Sequence, residues 1–431
     1  MELNLFFALL GGLLVLAFLS NRLVHYTRVP DVIILMITGV LIGPVLHWVN
    51  PDNFHTVTQG FGALALLLIL FEGGLDLKLR EIVSNLGGGL YLSILCYTLS
   101  MVAVAIVSHR MQRVSWLHAL LIGAVLGCVS SSIMLPVLQQ VRMRREVRVT
   151  LLVEATLGDA WAVLAVTTLL DIAAGGTASA RDIVWTLGSS LLLAVLMGIL
   201  AGMLWSYLLP FLSEQRFWHV LTFGAVLLVY AGIHFMKGNS LVGVLVFGLA
   251  LANFPAIRKQ IVQDENPGRT DWFAHLPQRR VSLESEKQPH LQIHTFHAEL
   301  AFLIRTFFFV LLGVRLNFGG LRQGAYFAGV CFLILFVARW IVVQSGRFLW
   351  RDFSRLEREV MTWLFPRGLI TAVLGIQVLE ARGQEFQALP ELAFALIFLT
   401  NVVLLIGSIR ARRLGENNMA VEPTATETVA G

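Results

Sequence analysis

Leu151-Leu152-Val153-Glu154-Ala155-Thr156-Leu157-Gly158-Asp159-Ala160-Trp161 puts two carboxylates inside an apolar segment long enough to span a bilayer. A charge at membrane depth costs from about 3 to more than about 10 kcal/mol. Such a side chain persists only where it is paired, hydrated or neutralised, so each acid marks a working site or a static ion pair. The two acids are five residues apart, about 140° around a helix, and therefore face different partners.

The rest of the chain supports a membrane setting. Its 431 residues are 57% apolar and 14% charged, against about 25% charged in ordinary soluble chains. The apolar runs are continuous and of helical span length, which excludes a β-barrel and points to an all-α polytopic membrane protein. The formal charge of +5 does not indicate a nucleic-acid partner, because the basic residues sit in loops. Cys96, Cys128 and Cys331 lie far apart in apolar runs and read as small packing residues, with no disulfide or zinc framework. The N-terminus carries Glu2 and no basic n-region, so the first span is expected to be retained.

We read about thirteen spans. The third covers roughly 58–75, the fifth 115–139, the sixth 148–172, the tenth 298–318, the eleventh 324–347 and the twelfth 358–380. Most of the 32 lysines and arginines fall in loops after odd-numbered spans, which places those loops in the cytoplasm. The N-terminus is then outside and the C-terminus inside. Residues 1–410 read as one transmembrane domain, 254–297 as a polar cytoplasmic loop holding four prolines, and 411–431 as a short cytoplasmic tail. A shift of about 239 residues lays the third span over the tenth and the fifth over the twelfth. That offset of seven spans would make the two halves inverted repeats, the arrangement of alternating-access transporters.

Two spans are expected to be discontinuous in matching places. The fifth contains Gly127-Cys128-Val129-Ser130-Ser131-Ser132 followed by Pro136, and the twelfth contains Phe365-Pro366-Arg367-Gly368. Three serines and a proline disfavour a continuous helix, as do a proline and a nearby glycine. Unwound backbone at membrane depth is tolerated where it lines a cavity or is buried in protein. Counting rise per residue from the cytoplasm puts Asp159 at about 16 Å, Arg305 at about 11 Å, Glu154 at about 9 Å and Arg339 at about 12 Å. Glu154 can therefore meet Arg339 as a structural pair, and Asp159, the working group, can meet Arg305. Burial disfavours the charged form of an acid, so such a group can hold a proton at one pH and a cation at another. That competition couples opposed flows. The serine-rich unwound stretch would add neutral oxygens suited to a hard monovalent ion.

These residues, in this order, resemble the monovalent cation–proton antiporters. The matches are Phe71-Glu72-Gly73-Gly74-Leu75, Glu154 with Asp159, Phe307-Phe308-Phe309-Val310-Leu311-Leu312-Gly313, Ala338-Arg339 and Pro366-Arg367-Gly368-Leu369. The resemblance implies a homodimer in the bacterial inner membrane, built from dimerisation helices and a six-helix core that moves like an elevator. It implies that the fifth and twelfth spans cross at their unwound centres. It also implies that Asp159 is the exchange carboxylate, with Val129, Ser130 and Ser131 beside it and Arg367 in the crossing. The activity implied is exchange of Na⁺ or K⁺ for H⁺, electroneutral because a single acid is present, serving pH homeostasis and needing no cofactor or resident metal. Four positions depart from the family. Gly158 replaces the usual Asn or Asp before the carboxylate, Val129-Ser130 replaces a common Thr-Asp, and Ala155 replaces a frequent Ser. Arg367 is thereby left without an obvious acidic counterpart.

Glu72, near the cytoplasmic end of its span, reads either as lining an inner funnel or as an interfacial acid. His290, His294 and His297 have no cysteine with them, and a solvated loop accounts for them better than a metal site or a pH sensor. Rival classes are an intramembrane aspartyl protease and a channel, symporter or transport-impaired chain of the same fold. The protease motif needs a glycine where Thr156 stands and a Tyr-Asp partner that is absent.

Overall fold

The computed structural model describes residues 11–20, 22, 30–49, 55–77, 79–141, 143–174, 180–212, 217–264 and 287–419. They are helical throughout, with no strand among the described residues. Eight helices among them are long and apolar enough to cross a membrane; shorter apolar helices cover Gly11–Ser20, Asp31–Val45 and Ser240–Phe254. The chain clusters into two compact units, Met1–Ala63 with Ser84–Gly176 and Arg305–Gly431, and Leu64–Val83 with Thr177–Ile304.

In the first unit the elements that matter are α1 (Gly11–Ser20), α2 (Asp31–Val40), the last part of α4 (Leu79–Gln112), α5 (Trp116–Leu126), α6 (Ser131–Gln140) and α7 (Arg145–Ala173). After the second unit's α8 (Ala180–Leu212), α9 (Trp218–Phe235) and α10 (Ser240–Asp264), the chain re-enters the first unit along α11 (Lys287–Val314). There follow α12 (Phe318–Ser345), α13 (Arg355–Trp363), α14 (Leu369–Arg382) and α15 (Leu389–Met419).

The fifth span breaks between α5 and α6, and the twelfth between α13 and α14. Ser115 starts α5 by accepting from the His118 backbone N–H at 3.3 Å. The helix stops at Leu126, and the chain turns through Gly127–Ser130 before α6 begins. Ser354 starts α13 with a capping box, its hydroxyl accepting from Glu357 N–H while the Glu357 carboxylate accepts from Ser354 N–H. Pro366 then prevents continuation, and the residue before it is biased away from helical geometry. The two breaks meet: Ser130 N–H donates to Pro366 O at 2.8 Å. A Cβ on Gly368 would lie 2.2 Å from Ser130 Oγ, so glycine is what lets the two unwound strands touch. Around this crossing pack α7, α14 and α15, with α12 and α13 against α15.

Close backbone approach also joins α2 to α11. A Cβ on Gly39 would sit 2.1 Å from Val310 O, and one on Gly313 2.4 Å from Met36 O. Small residues facing each other let helices approach where no solvent drives them together.

In the second unit α8 packs along α10, and α9 packs against both. Asn253 ties the α3 (His55–Asp76) to α4 junction, donating to Leu77 O and accepting from Leu79 N–H, each at 2.7 Å. His297 is buried against the rings of Phe71, Phe223 and Phe296. It therefore does not belong to a solvated loop; the side chains of His290 and His294 lie outside the described residues. Helix extends to Asp264 and resumes at Lys287, so the stretch read as loop over 254–297 is helical at both ends. Residues 265–286 and 420–431 lie outside the described residues.

Gly313→Val should cost at least the ~1–3 kcal/mol typical of overpacking. A lower melting temperature and less monodisperse protein in detergent are the expected results, and wild-type values would contradict the contact.

Candidate ion site

Asp159 is 1% exposed and stands on the face of α7 that meets the break in the fifth span. Its Oδ2 accepts from the Ser131 backbone N–H at 3.2 Å and from the Ser131 hydroxyl at 2.5 Å. Its Oδ1 faces the Cys128 thiol at 3.9 Å. The first N–H groups of a helix have no internal partner and carry its positive dipole end. The carboxylate thus caps α6 from a neighbouring helix, as an anion bound at a helix N-terminus does.

The unwound segment surrounds this contact. Cys128 Sγ lies 3.6 Å from Thr371 Oγ1 on α14, which brings the first turn of that half-helix to the site. Gly158 faces the Val129 backbone, and a Cβ there would be 3.8 Å from Val129 O. Ser130 is turned to the crossing, with its hydroxyl 3.1 Å from Ser132 Oγ. Thr156, one turn before Asp159, is buried and its hydroxyl has no hydrogen-bond partner among the described residues. The sequence marks Cys128 only as a small packing residue and gives Thr156 and Thr371 no part in the site, because small polar residues in apolar spans usually bond their own helix.

Glu154 meets Arg339 as expected. The Arg339 Nη1–H donates to Glu154 Oε1, with side chains 1% and 2% exposed. Arg339 also donates from Nε to Met361 O at 2.9 Å and from Nη2 to Leu364 O at 3.1 Å. Those carbonyls end α13, where a cation is favoured. The pair therefore anchors the cut end of the twelfth span as well as joining α7 to α12.

Arg305 does not meet the partner that depth counting allowed. It makes no ion pair with Asp159; its Nη2 donates to Asp31 Oδ2 at 3.0 Å and its Nη1 to Ser132 O at 2.9 Å. The depth was compatible, but the side chain leaves α11 toward α2 and α6. Arg367 is 1% exposed, and its backbone is held by Thr400 and Asn401. Its Nε and Nη1 have no hydrogen-bond partner among the described residues, while its guanidinium lies 5.8 Å from the Phe365 ring. Glu72 belongs to the second unit and is half-buried there. No group of three or more potential metal ligands occurs among the described residues. Trp161 serves packing, donating to Ser93 Oγ at 3.0 Å.

The crossing of two unwound spans beside a buried carboxylate defines a class of helical membrane transporter. Residues 12–414 match the model of the sodium/hydrogen exchanger transmembrane family, and the chain belongs to that family. Its relatives include Na(+)/H(+) antiporter 1 of Methanocaldococcus jannaschii, 20% identical over 391 residues that cover 88% of this chain and 84% of that protein. K(+)/H(+) antiporter NhaP2 of Shewanella oneidensis is 23% identical over 435 residues, covering 98% and 69%. The solved structure of the sodium proton antiporter MjNhaP1 from M. jannaschii superposes with a TM-score of 0.74 at 20% identity, covering 96% of this chain and 98% of that one. This likeness bears out the all-helical fold expected from the sequence.

Truncating one member of a buried ion pair strands the other, at a cost of about 3–5 kcal/mol. Glu154→Gln and Arg339→Met should each sharply lower thermal stability, and the double variant should lose less than the sum. Additive losses in fluorescence-detected unfolding would contradict a direct pair.

Proposed function

We propose that the chain exchanges a monovalent cation, Na⁺ or K⁺, for H⁺ by alternating access, with Asp159 as the shared site. What carries this reading is a carboxylate buried at the broken fifth span, with neutral donors from Ser131 and Cys128 and no cationic partner of its own among the described residues. A permanent salt bridge would block titration and cation binding; among the described residues Glu154 has one and Asp159 does not. The Ser131 hydroxyl can turn its lone pairs toward a cation when Asp159 is ionised, and the Val129 carbonyl and the orphaned Thr156 hydroxyl are further neutral oxygens nearby in the chain. Ser130 holds the crossing, and Arg367 supplies positive charge within it.

The carboxylate set favours exchange over an aspartyl dyad. Glu154 is committed to Arg339, so it is not free to share a proton with Asp159. A single working acid carries either one proton or one monovalent ion, which makes the exchange electroneutral. The family is one of transporters rather than enzymes. The location in a bacterial inner membrane, the cytoplasmic C-terminus, the homodimer with elevator-like core movement and a funnel role for Glu72 extend the same reading. They rest on the charge asymmetry of the loops and on the resemblance to the cation–proton antiporters.

Asp159→Asn should abolish cation-dependent proton movement in everted vesicles while leaving the protein folded, since the amide keeps an acceptor for Ser131. Retained exchange of either Na⁺ or K⁺ would reject the site.

A further inference from the structure

Pro136 sits at the sixth position of α6 and has no N–H to give. The carbonyl four residues earlier, that of Ser132, therefore lacks its helical donor. Ser132 follows directly on Ser131, whose N–H and hydroxyl hold Asp159. The orphaned carbonyl is met from another helix by Arg305 Nη1 at 2.9 Å. The other arm of the same guanidinium is fixed by Asp31 at 3.0 Å, where α2 begins. Arg305 and Asp31 are 14% and 15% exposed, so this fork is largely shielded from competing water. A guanidinium, unlike an ammonium, offers parallel donors in a rigid plane and can serve two acceptors at once.

We propose that Arg305 is a positioning residue for the ion site. It replaces the donor that Pro136 withholds and, braced by Asp31, fixes the first turn of α6 so that Ser131 meets the Asp159 carboxylate. The proposal rests on the function given above and deepens it: cation affinity is set partly by a residue that never touches the cation.

The proline makes the idea separable from a general need for Arg305. Pro136→Ala returns an N–H four residues after Ser132 and so supplies the missing helical bond. In proteoliposomes with a pH-sensitive dye, Arg305→Met should raise the apparent KM for the cation about tenfold, the scale of stranding a buried carbonyl, with Vmax changed less than about twofold. Pro136→Ala/Arg305→Met should bring KM back to within about threefold of wild type. Asp31→Asn should shift KM in the same direction by less. Arg305→Lys, which keeps the charge but not the fork, should fall between wild type and Arg305→Met. It stands in should Arg305→Met not fold, and its KM should likewise be relieved by Pro136→Ala. An unchanged KM in the Arg305 variants, or a Pro136→Ala double variant as impaired as its parent, overturns the proposal. Hydrogen–deuterium exchange of the 131–135 amides reads the same linkage without transport. Protection should fall in the Arg305 variants and return with Pro136→Ala, and unchanged protection overturns the proposal. Wild-type liposomes that move no cation would instead reject the exchanger function, leaving the amide measurement to decide the role of Arg305.

Discussion

Two helices cut in the middle of a low-dielectric core leave backbone N–H and C=O groups that water cannot reach. Every one left unpaired costs free energy comparable to a lost hydrogen bond or more. The site is organised around meeting that demand. Asp159 answers the N-terminus of α6, Arg339 the carbonyls that end α13, Arg305 the carbonyl that Pro136 strands, and Pro366 O takes the Ser130 N–H. Charged side chains at these points are stabilised by the partial charges of the helix ends, acids at the amino end and bases at the carboxyl end. The signs of Asp159 and Arg339 are therefore explained by the ends they meet, whereas Arg305 answers a single stranded carbonyl in the first turn of α6.

The same demand separates the two acids of α7. Glu154 is matched by a full positive charge that is itself held by two carbonyls, a closed arrangement with little reason to change. Among the described residues Asp159 is matched by neutral donors alone, from Ser131 and Cys128. In the proposed exchange, neutral donors would leave the acid free to trade a proton for a cation, with no fixed positive charge to displace first. Ala155 and Gly158 remove side-chain ligands common in the family, and here the polar groups near Asp159 come from Ser131, Cys128 and Thr371 instead. Arg367 sits in the crossing with Ser130 where the family often has an acid, against the Phe365 ring.

Much of this was legible in the chain because the relevant signals are local. Ser130-Ser131-Ser132 with Pro136, and Pro366 with Gly368, announce broken helices through backbone chemistry alone. Glu154 and Arg339 could be paired by depth because a buried charge must find an opposite one. What escaped was direction around the helix axes. Arg305 and Asp159 are at compatible depths, yet the arginine turns to Asp31 at the start of α2. Thr156, Thr371 and Cys128 carry no signal in sequence, because their kind is common in helix packing. Their part emerges only when two distant spans are brought together. The polar stretch around 254–297 misled in the other direction: polarity suggested loop where α10 and α11 continue as helix at its edges.

The central claim is that one carboxylate holds either a proton or a cation. Titrating Na⁺ or K⁺ into purified protein by calorimetry, in buffers of different ionisation enthalpy, counts protons released per ion bound. Near-stoichiometric release, growing as the pH is lowered toward the range where the site is protonated and absent in Asp159→Asn, is the expected result. Cation binding that releases no protons at any pH would contradict the account.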